Sequence, residues 1–391
     1  MYPTLHSRSI IRIGPYKSMC DATIDPSLAT TRAIIHLDRL RANVDTIRRR
    51  MPGIRMMGVV KADAYGHGAI AVARVLEDAG IEHLGVATVA EGLHLRREGI
   101  ETAIMVFAPI RPDWVTAATT ACLDVVVDGG ESVRAAASSA GRLRCHLKVD
   151  TGMGRLGRVP KDAVDVLRAI EHAPNLDLGS IWTHFARADE PDSDATDRQM
   201  DRFDAFISGL GGSPAPLHVA ASAGVFAHPR SVDPSRYDLA RVGIAMYGLL
   251  DLPDREPTAT GLQPVMELVS RVTALKKVSA GTPVSYGSRW TAPRDTWIAT
   301  VGAGYADGVS RHLSNVGAVR IRSGVYPIVG TVCMDMFMVD VGPEEGMVDL
   351  GDDVILFGAQ GPTAFDVARQ TDSITYVPVC AVSARVPRML A

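Results

Sequence analysis

From Arg32 onward, short apolar and β-branched runs alternate with longer stretches whose apolar positions recur every three to four residues. That alternation predicts repeated βα units on a parallel sheet. The runs read as strands are MMGVVK at 56–61, HLGVA at 83–87, AIMVF at 103–107, LDVVV at 123–127, LRCHLKVD at 143–150, LGSIWTH at 178–184, PLHVAA at 216–221 and ARVGIAMYG at 240–248, with candidate helices such as GAIAVARVLEDAG between them. Eight strands over roughly two hundred residues fit an α/β fold of the (β/α)8 TIM-barrel type. After PDREPTATGLQP the pattern changes. VMELVSRVTALKKV, DTWIATVGAGYADG, AVRIRS, YPIVGTVCMDMFMVDV and DDVILFG are β-rich, closely spaced and separated by Gly, Pro and Asp turns, which predicts a second, mainly antiparallel β domain. The expected division is an N-terminal extension over 1–30, a barrel over 31–262 and a β-rich domain over 263–391. TRAIIHLD at 31–38 precedes the first barrel strand, and periodicity leaves open whether it pairs with the later β domain.

Composition narrows the class. Of 391 residues, 47% are hydrophobic and 22% charged, and the net charge is −3. The chain therefore reads as a soluble globular protein without the basic surface that nucleic acid or an anionic membrane calls for, so a small-molecule partner is expected. No window reaches the roughly 18 apolar residues of a spanning helix. Cys20, Cys122, Cys145, Cys333 and Cys380 are odd in number, far apart and never in CxxC spacing. That argues against a disulfide framework or a zinc site and for a reducing, cytoplasmic compartment.

Candidate chemistry gathers at strand ends, where a barrel carries its functional groups. Lys61 closes the apolar run MMGVV. On its own this stretch favours a lysine whose stem lies along the strand while its ammonium reaches solvent. A desolvated lysine would instead lose its proton more readily and could form a Schiff base. Other strand ends shift the balance. LKVDTGMGRLG brings Lys148, Asp150 and Arg155 to the fifth, WTHFA brings His184 to the sixth, HVAASAG brings His218 and Ser222 to the seventh, and RVGIAMYG brings Arg241 beside Gly243 and Ile244.

VVKADAYGHGA, LKVDTGMGRLG, THFA, HxxxSA, RVGIAMYG, PVSYGSRW, GYADG and GTVCMDM stand in the order and approximate spacing of the alanine racemase family, the fold-type III pyridoxal-phosphate enzymes. The resemblance runs from about residue 31 to the C-terminus. It implies that Lys61 carries pyridoxal 5'-phosphate and serves as one catalytic base, and that Tyr286 is the second base, supplied by the partner subunit of a homodimer. It further implies phosphate contacts from Tyr65, Ser222, the backbone of Gly243 and Ile244, and Tyr376. Arg155 resembles the residue near the cofactor's phenolic oxygen and the substrate carboxylate, His184 the residue flanking the ring, and Arg241 the partner of the pyridine nitrogen. Met334 resembles a substrate contact from the second subunit, and Lys148 a lysine that is carbamylated in some members.

The implied activity is racemisation of L- and D-alanine for peptidoglycan synthesis. Inversion removes a proton from one face and returns one to the other, so two bases are the simpler design, and the tyrosine among them must release its proton more readily than usual. Arginine never gives up its proton, so Arg241 would leave the pyridine nitrogen unprotonated and the ring a weaker electron sink, which disfavours transamination. Two departures stand out: Ala221 occupies the position where the family usually has asparagine, and residues 1–30 lie outside the family core, with Met19 an alternative start. Ala221 keeps a serine or broad-specificity racemase open. A non-catalytic pyridoxal-phosphate carrier would need no β domain, and a basic-amino-acid decarboxylase would need an acid where Arg241 stands.

Overall fold

The computed structural model describes residues 28–252 and 260–391; the expected N-terminal extension falls almost wholly outside them. The barrel opens with β2 (Arg55–Val59) and continues through β3 (His83–Val86), β4 (Ala103–Pro109), β5 (Leu123–Val127), β6 (Leu143–Lys148), β7 (Leu176–Trp182), β8 (Leu217–His218) and β9 (Leu239–Val242). Neighbours in the sequence are neighbours in the parallel sheet, and β9 returns to pair with β2. The remaining gap is bridged where Asp238 N–H donates to Leu217 O at 2.8 Å and Arg241 N–H to Ala220 O at 3.0 Å. Inside, Met57, Met105, Val126, Trp182 and Leu239 form a plug contributed by five different strands.

Outside run α1 (Leu37–Arg50), α2 (Ala69–Asp78), α3 (Val89–Arg97), α4 (Val115–Thr120), α5 (Gly130–Ala137), α6 (Pro160–Glu171), α7 (Ala195–Gly209) and α8 (Ser222–Ala227). Their pattern explains their seating: α2 buries Ala69, Val72, Ala73 and Leu76, the i, i+3, i+4, i+7 stripe of an amphipathic helix. At its start α3 has a capping box, in which Glu91 N–H donates to Thr88 Oγ1 while the Glu91 carboxylate accepts from Thr88 N–H.

The second region is built from β10 (Met266–Val278), β11 (Pro283–Val284), β12 (Trp290–Thr291), β13 (Thr296–Val301), β14 (Ala318–Ile321), β15 (Gly324–Val329), β16 (Phe337–Gly342), β17 (Asp353–Phe357) and β18 (Arg388–Leu390). Because the long β10 pairs with both β17 and β13, the antiparallel circuit β13-β16-β15-β14-β17-β10 closes on itself. The question left by TRAIIHLD is answered here: β1 (Arg32–Ile35) pairs antiparallel with β10 and parallel with β18. Asn43 of α1 adds a second tie, since its Nδ2 donates to Met246 O and Gln263 O while its Oδ1 accepts from Gln263 N–H.

Several expected strands are shorter than their apolar runs. ARVGIAMYG leaves the ladder after Val242 and coils into a 3-10 turn at Ile244–Tyr247, because Gly243 bends the chain. YPIVGTVCMDMFMVDV is two strands separated by the loop that carries Met334. The β-rich region also holds α9 (Ala364–Gln370) and α10 (Tyr376–Cys380), so Tyr376 sits on a helix rather than in a strand or turn. No described helix is long and apolar enough to cross a membrane.

Candidate active site

Val60 N–H still donates to Gly85 O at 2.8 Å, so Lys61 is the first residue released from the β2 ladder. The next four residues, Ala62, Asp63, Ala64 and Tyr65, have φ of 52°, 53°, 53° and 54°. This is one turn of left-handed helix, a conformation that costs an L residue about 1–2 kcal/mol. Its surroundings hold it. Ala62 N–H donates to Glu91 Oε1 at 2.8 Å, and Asp63 Oδ1 accepts from Ala69 N–H at 2.7 Å. His67 Nδ1 lies 3.0 Å from Ala64 O and 2.9 Å from Tyr65 O. Burial lowers the His67 pKa to about 4, so the ring is neutral and its one N–H sits on Nδ1, where two carbonyls receive it. Gly66 closes the turn at φ 82°, and a Cβ there would strike the Val379 carbonyl oxygen.

The turn delivers Lys61 and Tyr65 to a cavity of about 460 Å³ at the C-terminal mouth of the barrel. Lys148, Arg155, His184, Ser222 and Arg241 line the same cavity, as do Gly243, Ile244 and Tyr376. Four cationic side chains thus share one space, and Asp189 and Asp251 are the acids on its wall. Burial, reinforced by the charge of Arg155, lowers the pKa of Lys61. Burial and then Arg241 push Lys148 down to about 7. The Lys148 Nζ lies 4.6 Å from the centre of the Trp182 ring and the Arg241 Cζ 4.7 Å from it, a π surface shared by two cations.

Arg241 is 3% exposed. Its Nη1 donates to His218 Nδ1 at 2.7 Å and His218 O at 3.2 Å, and its Nη2 to Thr183 O at 2.8 Å, Val219 O at 3.0 Å and His184 Nδ1 at 3.1 Å. Among the described residues no acceptor meets its Nε–H and no carboxylate pairs with it. Burial lowers its pKa to about 9, which leaves it charged at pH 7. Burial and this guanidinium together hold His184 well below the usual histidine range, so His184 is neutral and accepts at Nδ1. Nearby, Asp150 accepts the N–H groups of Gly152, Met153 and Gly154, fixing the loop that presents Arg155. Burial would raise the Asp150 carboxyl, but these backbone donors outweigh it and hold its pKa below the usual value.

At the other end of the cavity Ser222 Oγ accepts from Gly243 N–H at 3.1 Å and Ala245 N–H at 3.3 Å, which leaves its own proton to donate. Gly243 has to lack a side chain, because a Cβ would collide with the Tyr65 hydroxyl. The rings of Tyr65 and Tyr376 stand 5.9 Å apart. Burial raises both phenols, Tyr376 to about 12, so both remain protonated donors. Three hydroxyls and several cations around one cavity suit an anionic ligand.

Tyr286 and Met334 lie elsewhere. They are 75% and 53% exposed on the β domain, and neither lines the cavity. Their loops are nonetheless knitted together. Ser285 Oγ donates to Thr331 O at 2.6 Å, Thr331 Oγ1 to Tyr286 O at 2.8 Å, and Ala306 N–H to Met334 O at 3.0 Å. Arg385 grips both Asp307 and Asp335.

The chain matches the model of the alanine racemase N-terminal domain over residues 35–251 and that of the C-terminal domain over 265–390. The chain belongs to the alanine racemase family. It is 40% identical over 372 residues to the alanine racemase of Chlorobaculum tepidum, which covers 92% of this chain and 95% of the relative. It is 40% identical over 368 residues to that of Symbiobacterium thermophilum, covering 92% and 96%. The crystal structure of alanine racemase from the D-cycloserine producer Streptomyces lavendulae superposes with a TM-score of 0.86 at 35% identity, over 93% of this chain and 97% of that one.

Against this family background, sequence reasoning missed Glu91, Asp63 and His67, which hold the left-handed turn, and Trp182, which receives two cations. The capping spacing Thr88-x-x-Glu91 was readable, but it gives no hint that the same carboxylate reaches Ala62. Trp182 directly before Thr183-His184 was the available signal for the other.

Proposed function

We propose that the protein interconverts L-alanine and D-alanine with pyridoxal 5'-phosphate as cofactor, supplying D-alanine for peptidoglycan. The observation that carries this reading is the pairing, in one buried cavity, of an amine with lowered pKa, Lys61, and an arginine without a carboxylate partner, Arg241. The residues present fit the cofactor. Tyr65, Ser222, Tyr376 and the backbone at Gly243 and Ile244 would hold its phosphate, the Arg241 Nε–H would meet its pyridine nitrogen, His184 would flank the ring and Lys61 would bind it covalently. Once bound, the cofactor supplies an electron sink for the α-carbon of the amino acid.

The chain's own groups do the rest. The Lys61 amine, its pKa lowered by burial and by Arg155, would hold or remove the α-proton on one face. Tyr286 of the partner subunit acts on the opposite face, with Met334 of the partner subunit closing the substrate pocket. Arg155 binds the substrate carboxylate. Because Arg241 retains its proton, it would donate a hydrogen bond to the ring nitrogen without charging it, which would limit competing transamination. With a pKa near 7, Lys148 is open to carbamylation: its amine adds to carbon dioxide, an N–C bond forms, and the proton leaves to solvent. The resulting anion would sit beside Arg155.

Purified protein with pyridoxal 5'-phosphate should racemise L-alanine. Lys61→Ala should abolish both this and the covalent cofactor adduct seen by mass after borohydride reduction; racemisation that persists in Lys61→Ala without added amine overturns the reading. Ala221 lines the cavity with a methyl group, which favours a second reading of serine or broad specificity. Initial rates with L-alanine, L-serine, L-lysine and L-arginine decide between them.

A further inference from the structure

Arg241 is the last member of a row of side chains that crosses five consecutive barrel strands. Asp124 stands on β5, His146 on β6, Ser180 on β7, His218 on β8 and Arg241 on β9. The links measure 2.7 Å from Arg241 Nη1 to His218 Nδ1, 2.7 Å from His218 Nε2 to Ser180 Oγ, 2.6 Å from Ser180 Oγ to His146 Nδ1, and 3.3 Å from His146 Nε2 to Asp124 Oδ2. His218 is 0% exposed, Ser180 3% and His146 4%. The Asp124 side chain, at 13%, is the member nearest to water.

The direction of every hydrogen bond follows from one fact, that a guanidinium can only donate. His218 Nδ1 therefore accepts, and the single proton of this neutral ring lies on Nε2 and is donated to Ser180 Oγ. The Ser180 hydroxyl, its lone pair engaged by His218, turns its proton to His146 Nδ1. That places the His146 proton on Nε2, aimed at the Asp124 carboxylate. A second arrangement satisfies the same distances only if His146 is an imidazolium and Ser180 donates elsewhere.

We propose that Asp124, His146, Ser180 and His218 are a positioning relay for Arg241. Each hydrogen bond fixes the next, so the anion at Asp124 locks His218 in the tautomer that receives Nη1. With both Nη atoms held, the guanidinium plane has no freedom to turn, and its Nε–H stays directed at the ligand. Asp124 also supplies the negative charge that Arg241 lacks at its own end, without placing a carboxylate where it would protonate the ligand's ring nitrogen. What Arg241 faces rests on the cofactor reading above; the relay itself does not.

The test separates the two. In protein with 15N-labelled histidine, long-range proton–nitrogen spectra at pH 7.5 should show His146 and His218 neutral and protonated on Nε2. This readout needs no cofactor chemistry, so it stands even if pyridoxal phosphate proves not to bind. Ser180→Ala should leave the His218 Nε2–H without its acceptor, shifting that proton and nitrogen signal, and in the holoprotein weaken pyridoxal-phosphate binding and lower kcat by about 10- to 100-fold, the range known for groups that orient the ligands of metal sites, with the alanine KM changed less than about twofold. Asp124→Asn, which keeps an acceptor but removes the charge, should fall between Ser180→Ala and the parent. Cys145→Ala, a buried core truncation on the same strand as His146, should lower stability but leave tautomers and cofactor affinity unchanged. An imidazolium signal at His146, or a Ser180→Ala protein indistinguishable from Cys145→Ala, overturns the proposal.

Discussion

At the barrel mouth Tyr65, Lys148, Ser222 and Arg241 are buried around one cavity, whereas on the β domain Tyr286 and Met334 stand in solvent, 75% and 53% exposed. Both regions are rigidly braced. The mouth is held by Glu91, Asp63 and His67 around the left-handed turn, and the β-domain face by Ser285, Thr331 and the Arg385 clamp. On the β domain these bonds hold the loop backbone, the Tyr286 carbonyl included, while the Tyr286 ring itself stands in solvent. The contrast fits the proposed function, in which each chain would contribute one half of a site shared between two subunits.

The sharpest way to break that comparison is to disable the halves separately. Tyr286→Phe should lower kcat by about 10²–10⁴-fold, the usual contribution of a positioned acid or base, while leaving pyridoxal-phosphate binding intact. Lys61→Ala should lose activity for the opposite reason. Mixing the two inactive proteins should restore activity, because a mixed dimer contains one site with both wild-type residues. Absence of recovery in the racemisation assay, with subunit exchange verified by mass, would place both halves of each site in one chain.

The halves also differ in how legible they were in the sequence. Lys61, Arg155, His184 and Arg241 could be placed at one barrel mouth because strand ends fix their direction, and the cavity does collect them. The left-handed turn was invisible: Ala62-Asp63-Ala64-Tyr65 contains no glycine, the residue that normally signals positive φ, and one of the contacts that hold it comes from Glu91, on another helix. The relay was hidden for a related reason. Asp124, His146 and Ser180 lie on three different strands, so only the side-by-side order of the strands reveals them as a set. In the β domain, α9 went unread although Thr363-Ala-Phe-Asp366 forms a capping box whose Thr363 Oγ1 accepts from Asp366 N–H; the apolar runs on either side dominated the pattern. The pairing of β1 with β10 joins residues more than two hundred positions apart, which local periodicity does not encode.

Acid should affect the buried half first. His67 has a pKa near 4 in the folded protein against 6.5 for an ordinary histidine. The unfolded chain therefore takes up this proton before the folded one. Stability is complete above pH 6.5 and falls as the pH drops from there toward 4, by about 3 kcal/mol for this residue. His184 and His218, also depressed by burial, add to the slope in the parent protein. Urea unfolding of the parent and of His67→Gln at pH 7.5, 6 and 5 isolates the His67 share: the variant should start less stable but lose less on acidification. Parallel curves would show that His67 does not stay neutral in the fold.

The smallest effect probes the strain itself. A glycine tolerates positive φ without the clash an L side chain suffers, yet it also gives the unfolded chain more freedom, so the two terms partly cancel. At Ala62, exposed and at φ 52°, the relief should win by about 0.5–1 kcal/mol, raising the unfolding temperature by about 1–2 °C. At Ala42, in the right-handed α1, the same substitution should destabilise by about 1 kcal/mol. Opposite signs for one chemical change, read by calorimetry, would show that the backbone beside Lys61 is held in place by its neighbours against its own preference. Equal signs would mean that the turn carries no strain for the buried half-site to absorb.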